Sequence, residues 1–115
     1  MQRFRFVSFA AGTGFALLLA LDAASAEDAN AIAVTIKDHR FTPAEIRIPA
    51  GKPAVILIHN QDPTAEEFDS AALGIEKVVA GRRRALLRLR PLAAGRYEFM
   101  GEYHAETAQG VVIAE

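Results

Sequence analysis

Cysteine and tryptophan are both absent from this chain of 115 residues. Without cysteine, neither a disulfide framework nor a thiolate metal site can form. A formal net charge of −1 gives the whole chain no general attraction to nucleic acid or to an anionic membrane surface. Glycine-rich phosphate loops and a nucleophile spaced with a base are also missing, so the pattern predicts no catalytic residue and favours a binding protein.

Long hydrophobic runs are missing too, and the longest apolar stretch lies near the N-terminus. Arg3 and Arg5 precede an apolar segment at 15–21, and Ala24-Ser25-Ala26 follows it. The segment is well short of the roughly 18 residues that span a bilayer. A basic start, an apolar centre and an A-x-A site are typical of a secretory signal peptide. We therefore predict a signal peptide at 1–26, one mature domain at 27–115, a periplasmic location and no stable membrane insertion after cleavage.

The mature region alternates apolar and polar residues with a period of two. Ile32, Val34 and Ile36 alternate with polar or small neighbours, and 54–59 is a continuous apolar run typical of a strand buried on both faces. Turn signals recur every eight to twelve residues. Residues 38–43 are predicted to form a loop, because Pro43 does not suit a central strand. This pattern predicts an all-β Greek-key sandwich of about seven short strands.

Six segments of the mature region carry a family resemblance. They are K-D-H-R-F-T-P at 37–43, P-A-G at 49–51, N-Q-D at 60–62, A-E-E-F at 65–68, P-L-A-A-G-R-Y-E-F at 91–99 and G-E-Y-H at 101–104. With these segments the chain resembles the cupredoxin-like superfamily over 31–115, and within it the EfeO-type or FtrB-like domains of bacterial iron-uptake systems. The resemblance implies a cupredoxin sandwich and an iron or copper ion. It also implies two partners, an inner-membrane iron permease and a second periplasmic metal-binding protein.

The sequence departs from the blue-copper pattern at most of its ligand positions. The family's cysteine falls on Gly101 and its axial methionine on Ala108, while the loop histidine is retained as His104. Where copper-binding members have a histidine after the central strand, this chain has Glu66 and Glu67. Because a type 1 copper site needs a thiolate, blue-copper electron transfer is excluded.

The EfeO-type pattern is also only partly retained. Its two cysteines fall on Phe41 and at or beside Gly101, and its glutamate best matches Glu67. A site built from carboxylate and imidazole suits iron, manganese, zinc or Cu(II). Glu66 and Glu67 point to opposite sides of an extended segment, so only one should face His104. The candidate metal ligands are His104, Glu67, Glu66, Glu102, Glu106 and His39.

Two functions of different classes are left open. The first is what the resemblance implies: a periplasmic metal-handling protein that binds Fe(II), or Cu(II), for an iron-uptake system, and at most an accessory protein that oxidises ferrous iron. The alternative is a metal-free interaction module that docks to a membrane or periplasmic partner. The missing cysteine and methionine favour the alternative. The acidic and imidazole residues gathered at 60–68 and 101–110 favour the first.

The predicted cleavage site has a direct test. The full chain, expressed in a bacterium and recovered from the periplasm, should have the intact mass of residues 27–115. Replacing Ala24 and Ala26 by bulky residues should leave the precursor uncleaved, because the peptidase accepts only small side chains there. A periplasmic product that begins at Met1 would contradict the prediction.

Overall fold

Nine strands and one short 3₁₀ helix make up the part of the chain that the computed structural model describes, residues 30–115. The signal peptide predicted at 1–26 lies outside these residues. Within 30–115 no helix is long and apolar enough to span a bilayer. The elements are β1 (Ile32–Lys37), β2 (Arg40–Thr42), β3 (Glu45–Ile48), β4 (Ala54–Asn60), β5 (Glu66–Ser70), β6 (Ile75–Val79), β7 (Arg84–Leu89), β8 (Gly95–Gly101), the 3₁₀ helix (Glu102–His104) and β9 (Gln109–Ala114).

The strands form two packed sheets. The four-stranded sheet has the order β2-β1-β4-β7, and the five-stranded sheet has the order β3-β9-β8-β5-β6. β1 runs parallel to β4 and β3 parallel to β9, while the other pairs are antiparallel. The predicted β-sandwich is confirmed, with nine strands rather than about seven. The two additional strands are β2 and β5.

Both additional strands have sequences with weak strand signals. β2 has only three residues, lies inside the predicted 38–43 loop and pairs with β1 alone. β5 reads Glu-Glu-Phe-Asp-Ser, and acidic residues are depleted in strands. Pairing with β6 on one side and β8 on the other holds β5 in the sheet. In β5, the strand that begins at Glu66, pairing with neighbouring strands therefore outweighs the low strand propensity of its residues.

The core between the sheets is aliphatic along most of its length and aromatic at one end. Phe68 and Phe99 stack with ring centroids 4.7 Å apart, and Phe41 meets Phe99 edge-on at 5.0 Å. All three rings are at most 4% exposed. Phe68 lies two residues after Glu66 on β5, and Phe99 two residues before Gly101 on β8. The aromatic cluster is therefore the layer of core directly beneath those two positions.

Asn60 fixes the loop that leads from β4 to β5. Its side chain is fully buried and its Nδ2 donates to the carbonyls of Thr64 and Val79 at 2.9 and 3.1 Å. Its Oδ1 accepts the backbone N–H of Asp62 at 3.0 Å. This one side chain therefore satisfies backbone groups on both sides of the loop.

Replacing this amide should destabilise the fold. Asn60→Ala leaves buried carbonyls without their donor, so we expect the free energy of unfolding to fall by about 2–4 kcal/mol. Gln61→Ala, next in the chain, is the matched control and should change it by less than about 0.5 kcal/mol. Urea unfolding measures both. An equal fall in the free energy of unfolding for the two variants would show that the Asn60 hydrogen bonds do not stabilise the loop.

Candidate metal site

The turn between β1 and β2 places His39 at one end of the sandwich. Asp38 and His39 both have positive φ, 51° and 57°, as the two central residues of a tight type I′ hairpin turn require. The carboxylate of Asp62 accepts both of their backbone N–H groups, at 2.9 and 3.0 Å. The Thr107 hydroxyl donates to the His39 carbonyl at 2.7 Å. Asp62 and Thr107, from two other loops, thus stabilise a positive-φ conformation that non-glycine residues seldom adopt.

Glu66 is a buried carboxylate that three donors satisfy. Its side chain is 2% exposed and faces inward from the first position of β5. Oε1 accepts the backbone N–H of Tyr103 at 2.9 Å and of Glu67 at 3.0 Å. Oε2 lies 2.6 Å from Nδ1 of His104. These contacts offset the cost of removing the carboxylate from water.

Two small residues make room for that carboxylate. A Cβ atom on Gly101 would lie 2.6 Å from Cδ of Glu66 and 2.7 Å from Cβ of Ala108. Both distances are far below van der Waals contact. Gly101 is therefore required by the close approach of Glu66, since no side chain fits at that position while the carboxylate is in place.

His104 joins Glu66 to His39. It ends the 3₁₀ helix, and its ring stacks on that of His39 with centroids 3.5 Å apart and an 11° interplanar angle. One ligand-competent atom from each of His39, Glu66 and His104 lies within 4.8 Å of the other two. The two imidazoles are 42% and 29% exposed, so this three-residue cluster is closed at Glu66 and open at the histidines. A cavity of about 490 Å³ lies at the open side, lined by the two histidines, Tyr103, Ala105, Glu106 and Thr107.

Asp62 orients His39 electrostatically. Burial by itself raises the pKa of Asp62, but the two backbone N–H bonds and the nearby His39 and Arg82 outweigh it and lower that pKa. Asp62 is therefore ionised at neutral pH. Its Oδ2 lies 3.4 Å from Nδ1 of His39, which leaves Nε2 as the nitrogen that His39 can offer to a ligand.

The remaining predicted candidates lie outside the cluster. Glu67 follows Glu66 on β5 and so points to the opposite side of the sheet, where Glu102 is its neighbour. Glu106 is exposed in the loop before β9. Partial desolvation, a hydrogen bond with Glu102 and the charges of Glu76 and Asp69 raise the pKa of Glu67. The structure thus brings together Glu66, His104 and His39, and leaves Glu67, Glu102 and Glu106 apart.

The three-residue cluster fits a first-row transition metal ion. One carboxylate and two imidazoles form a donor set of intermediate softness, suited to Cu(II), Zn(II) or Fe(II). Two ligand atoms about 2.1 Å from an ion, at a right angle, are separated by about 3.0 Å. The 2.6 Å contact between Glu66 and His104 would need to open by only about 0.4 Å. Three donors leave further coordination positions facing the cavity.

Sequence reasoning missed how the cluster is packed. Gly101 and Ala108 stood out only as lost ligand positions, whereas in the fold their small size admits the Glu66 carboxylate. The ring stack of His39 on His104 joins residues 65 positions apart and has no signal in the sequence. A clue to His39 was available in the Asp38-His39 pair, since both residue types are enriched at positive φ.

A family model of the cupredoxin-like domain matches residues 10–114 of the chain. An uncharacterized protein of Rickettsia prowazekii (strain Madrid E) is 42% identical over 82 residues, which span 71% of this chain and 66% of that protein.

Solved structures share the fold at low identity. The Cu(I)-bound metal-binding domain of the Cu(I)-exporting P-type ATPase CopA of Streptococcus pneumoniae D39 is 23% identical, with a TM-score of 0.65 over 73% of this chain and 83% of that one. Auracyanin A, a blue copper protein of Chloroflexus aurantiacus, is 14% identical with a TM-score of 0.64, over 74% and 98%. Amicyanin of Paracoccus versutus is 20% identical with a TM-score of 0.60, over 76% and 83%. At these identities the likeness concerns the fold.

The raised pKa of Glu67 predicts a pH-dependent effect on stability. Because the folded state raises this pKa, protonated Glu67 favours folding. This contribution to the free energy of unfolding is complete below the unfolded-state pKa of about 4.3. It is lost as pH rises through the folded-state pKa. Glu67→Gln mimics the protonated form. It should therefore melt higher than wild type at pH 7 and at the same temperature near pH 3.5. Glu106→Gln is the control and should follow wild type at both pH values. If the melting temperature of Glu67→Gln exceeded that of wild type by more at low pH than at pH 7, the raised pKa of Glu67 would be contradicted.

Proposed function

Because the chain belongs to the cupredoxin-like domain family, we propose that it binds one divalent transition metal ion, Cu(II) or Fe(II), through Glu66, His104 and His39. The observation that carries this proposal is the convergence of three ligand atoms within 4.8 Å at one end of the sandwich. They come from three separate segments, the β1–β2 turn, the start of β5 and the 3₁₀ helix. The ion is cargo here, and the protein is a carrier rather than an enzyme.

The family motif supports the same end of the fold. His104 stands where copper-binding members have their loop histidine, and Glu66 lies in the segment that supplies their first histidine. The thiolate position is Gly101, and the space beside it is filled by the Glu66 carboxylate. An oxygen donor thus takes the place of a sulfur donor. Oxygen ligands favour harder ions and higher oxidation states, whereas thiolates favour Cu(I).

The finer proposal is a role in bacterial iron uptake. The resemblance to EfeO-type and FtrB-like domains supports it, together with the oxygen-containing donor set. On this view the exported protein carries Fe(II) in the periplasm, receives it from a second metal-binding protein and passes it to an inner-membrane permease. Cu(II) remains the second cargo, because the structural neighbours named above include copper-binding proteins.

A metal-free interaction module is the second candidate, and one observation favours it. Glu66 and His104 satisfy each other in a 2.6 Å contact, and among the described residues no buried side-chain nitrogen or oxygen lacks a hydrogen-bond partner. The cluster is therefore stable as a hydrogen-bonded unit. In this function the cluster would hold the β1–β2 turn, β5 and the 3₁₀ helix together as parts of one docking surface.

Metal titration separates the two candidates. The protein recovered after export should bind Cu(II), and under anaerobic conditions Fe(II), with a stoichiometry of one. Glu66→Gln and His104→Ala each remove one of three donors, so we expect affinity to fall on the order of 100-fold or more. Calorimetry or competition with a chromophoric chelator measures this loss.

Matched controls are available on the other side of β5. Glu67→Gln and Glu102→Gln remove the same charge close by but outside the cluster, and should keep affinity within about threefold of wild type. No stoichiometric binding of either ion would overturn the metal proposal in favour of the interaction module. Equal losses from the three Glu→Gln variants, with His104→Ala close to wild type, would show that general negative charge, and not the cluster, attracts the ion.

A further inference from the structure

Charge is divided between the two sheets of the sandwich. β1, β2, β4 and β7 contain four basic residues and no aspartate or glutamate. The strands of the other sheet contain six acidic and three basic residues. The net charge of −1 conceals this separation, which only the strand order reveals. The basic residues are Lys37, Arg40, Arg84 and Arg88.

Strand register places all four basic side chains on the outer face of the four-stranded sheet. Lys37 is paired with Arg40, and Arg84 lies opposite His59. Neighbours of these residues along their strands, such as Ile36, Phe41 and Leu87, are buried, so alternation directs the basic residues outward. Lys37 and Arg40 flank the His39 turn, with Arg84 in the adjacent row. Three of the four cations therefore lie at the end of the face that carries the three-residue cluster.

The apolar side chains on this face do not protrude as the anchor residues of protein interfaces do. Val55, Leu57 and Leu86 lie between the basic residues but are half-buried among them. The large exposed apolar residues of the described chain, Val78, Met100 and Tyr103, all lie on other elements. Protein interfaces usually centre on protruding aromatic or aliphatic anchors. This face offers positive charge and no protruding apolar anchor.

We propose that the outer face of the four-stranded sheet adsorbs to anionic phospholipid surfaces. Lipid headgroups require positive charge and no apolar pocket, and each Lys or Arg close to an anionic leaflet strengthens adsorption. The acidic sheet on the opposite side orients the molecule, because an anionic surface repels it. Adsorption is peripheral and reversible. The inference rests on the two sheets and stands whether or not the cluster binds metal.

Vesicle sedimentation tests this inference. The exported protein is mixed at low salt with phosphatidylcholine vesicles, with and without about 30% phosphatidylglycerol. Binding should require the anionic lipid and decline as salt approaches 0.15 M, where charges are screened over about 8 Å. Lys37→Gln with Arg84→Gln should lower the partition coefficient about 25-fold, since each basic residue near such a surface contributes about fivefold.

The control removes the same charge from the opposite sheet. Lys77→Gln with Arg96→Gln should leave the partition coefficient within about twofold of wild type. Circular dichroism melting checks that each double variant folds, and metal titration reports on the cluster separately. Equal binding to both vesicle types, equal losses in both double variants, or no binding at low salt would each overturn the proposal. The last result would assign the basic face to an acidic protein partner.

Discussion

The contact between Glu66 and His104 is the constraint on which the end of this sandwich depends. A carboxylate buried this deeply is stable only when its oxygens are satisfied, and here the donors come from β5 itself and from the loop before β9. His104 is held against His39 by the same contact, which ties in the β1–β2 turn. The β1–β2 turn, β5 and the 3₁₀ helix are thus joined through one buried carboxylate. Gly101 and Ala108 are small because that charge occupies the space beside them.

The sequence predicted the sandwich better than it predicted the site. Alternation identified β1 and a continuous apolar run identified β4, since burial of apolar side chains produces both patterns. β2 and β5 were missed because one is three residues long and the other is largely acidic. Both border the cluster. Glu66 and Glu67 were correctly expected to face opposite ways, but choosing between them needed the register of β5 against β8. The His39 turn depends on Asp62, 23 positions away.

The family resemblance pointed to the end of the fold where the three-residue cluster lies, but not to the residues that form it. Of the blue-copper ligand positions, the resemblance leaves only the loop histidine at 104, and the thiolate position is Gly101, which has no side chain. The Glu66 carboxylate fills that space from the neighbouring strand, and it is a harder donor than a thiolate of the same charge. A fold does not determine the groups at its sites, so the donors of any metal site have to be identified from this chain's own residues.

One-sided burial of the cluster has a consequence for kinetics. Glu66 is almost inaccessible, whereas the two imidazoles face solvent and a cavity of about 490 Å³. An ion bound by the proposed three-residue cluster would be reached from the open side, next to the two histidines. A ligand from an acceptor molecule would then displace imidazole before the buried carboxylate. Release would proceed by associative exchange, at a rate that depends on the concentration of the acceptor.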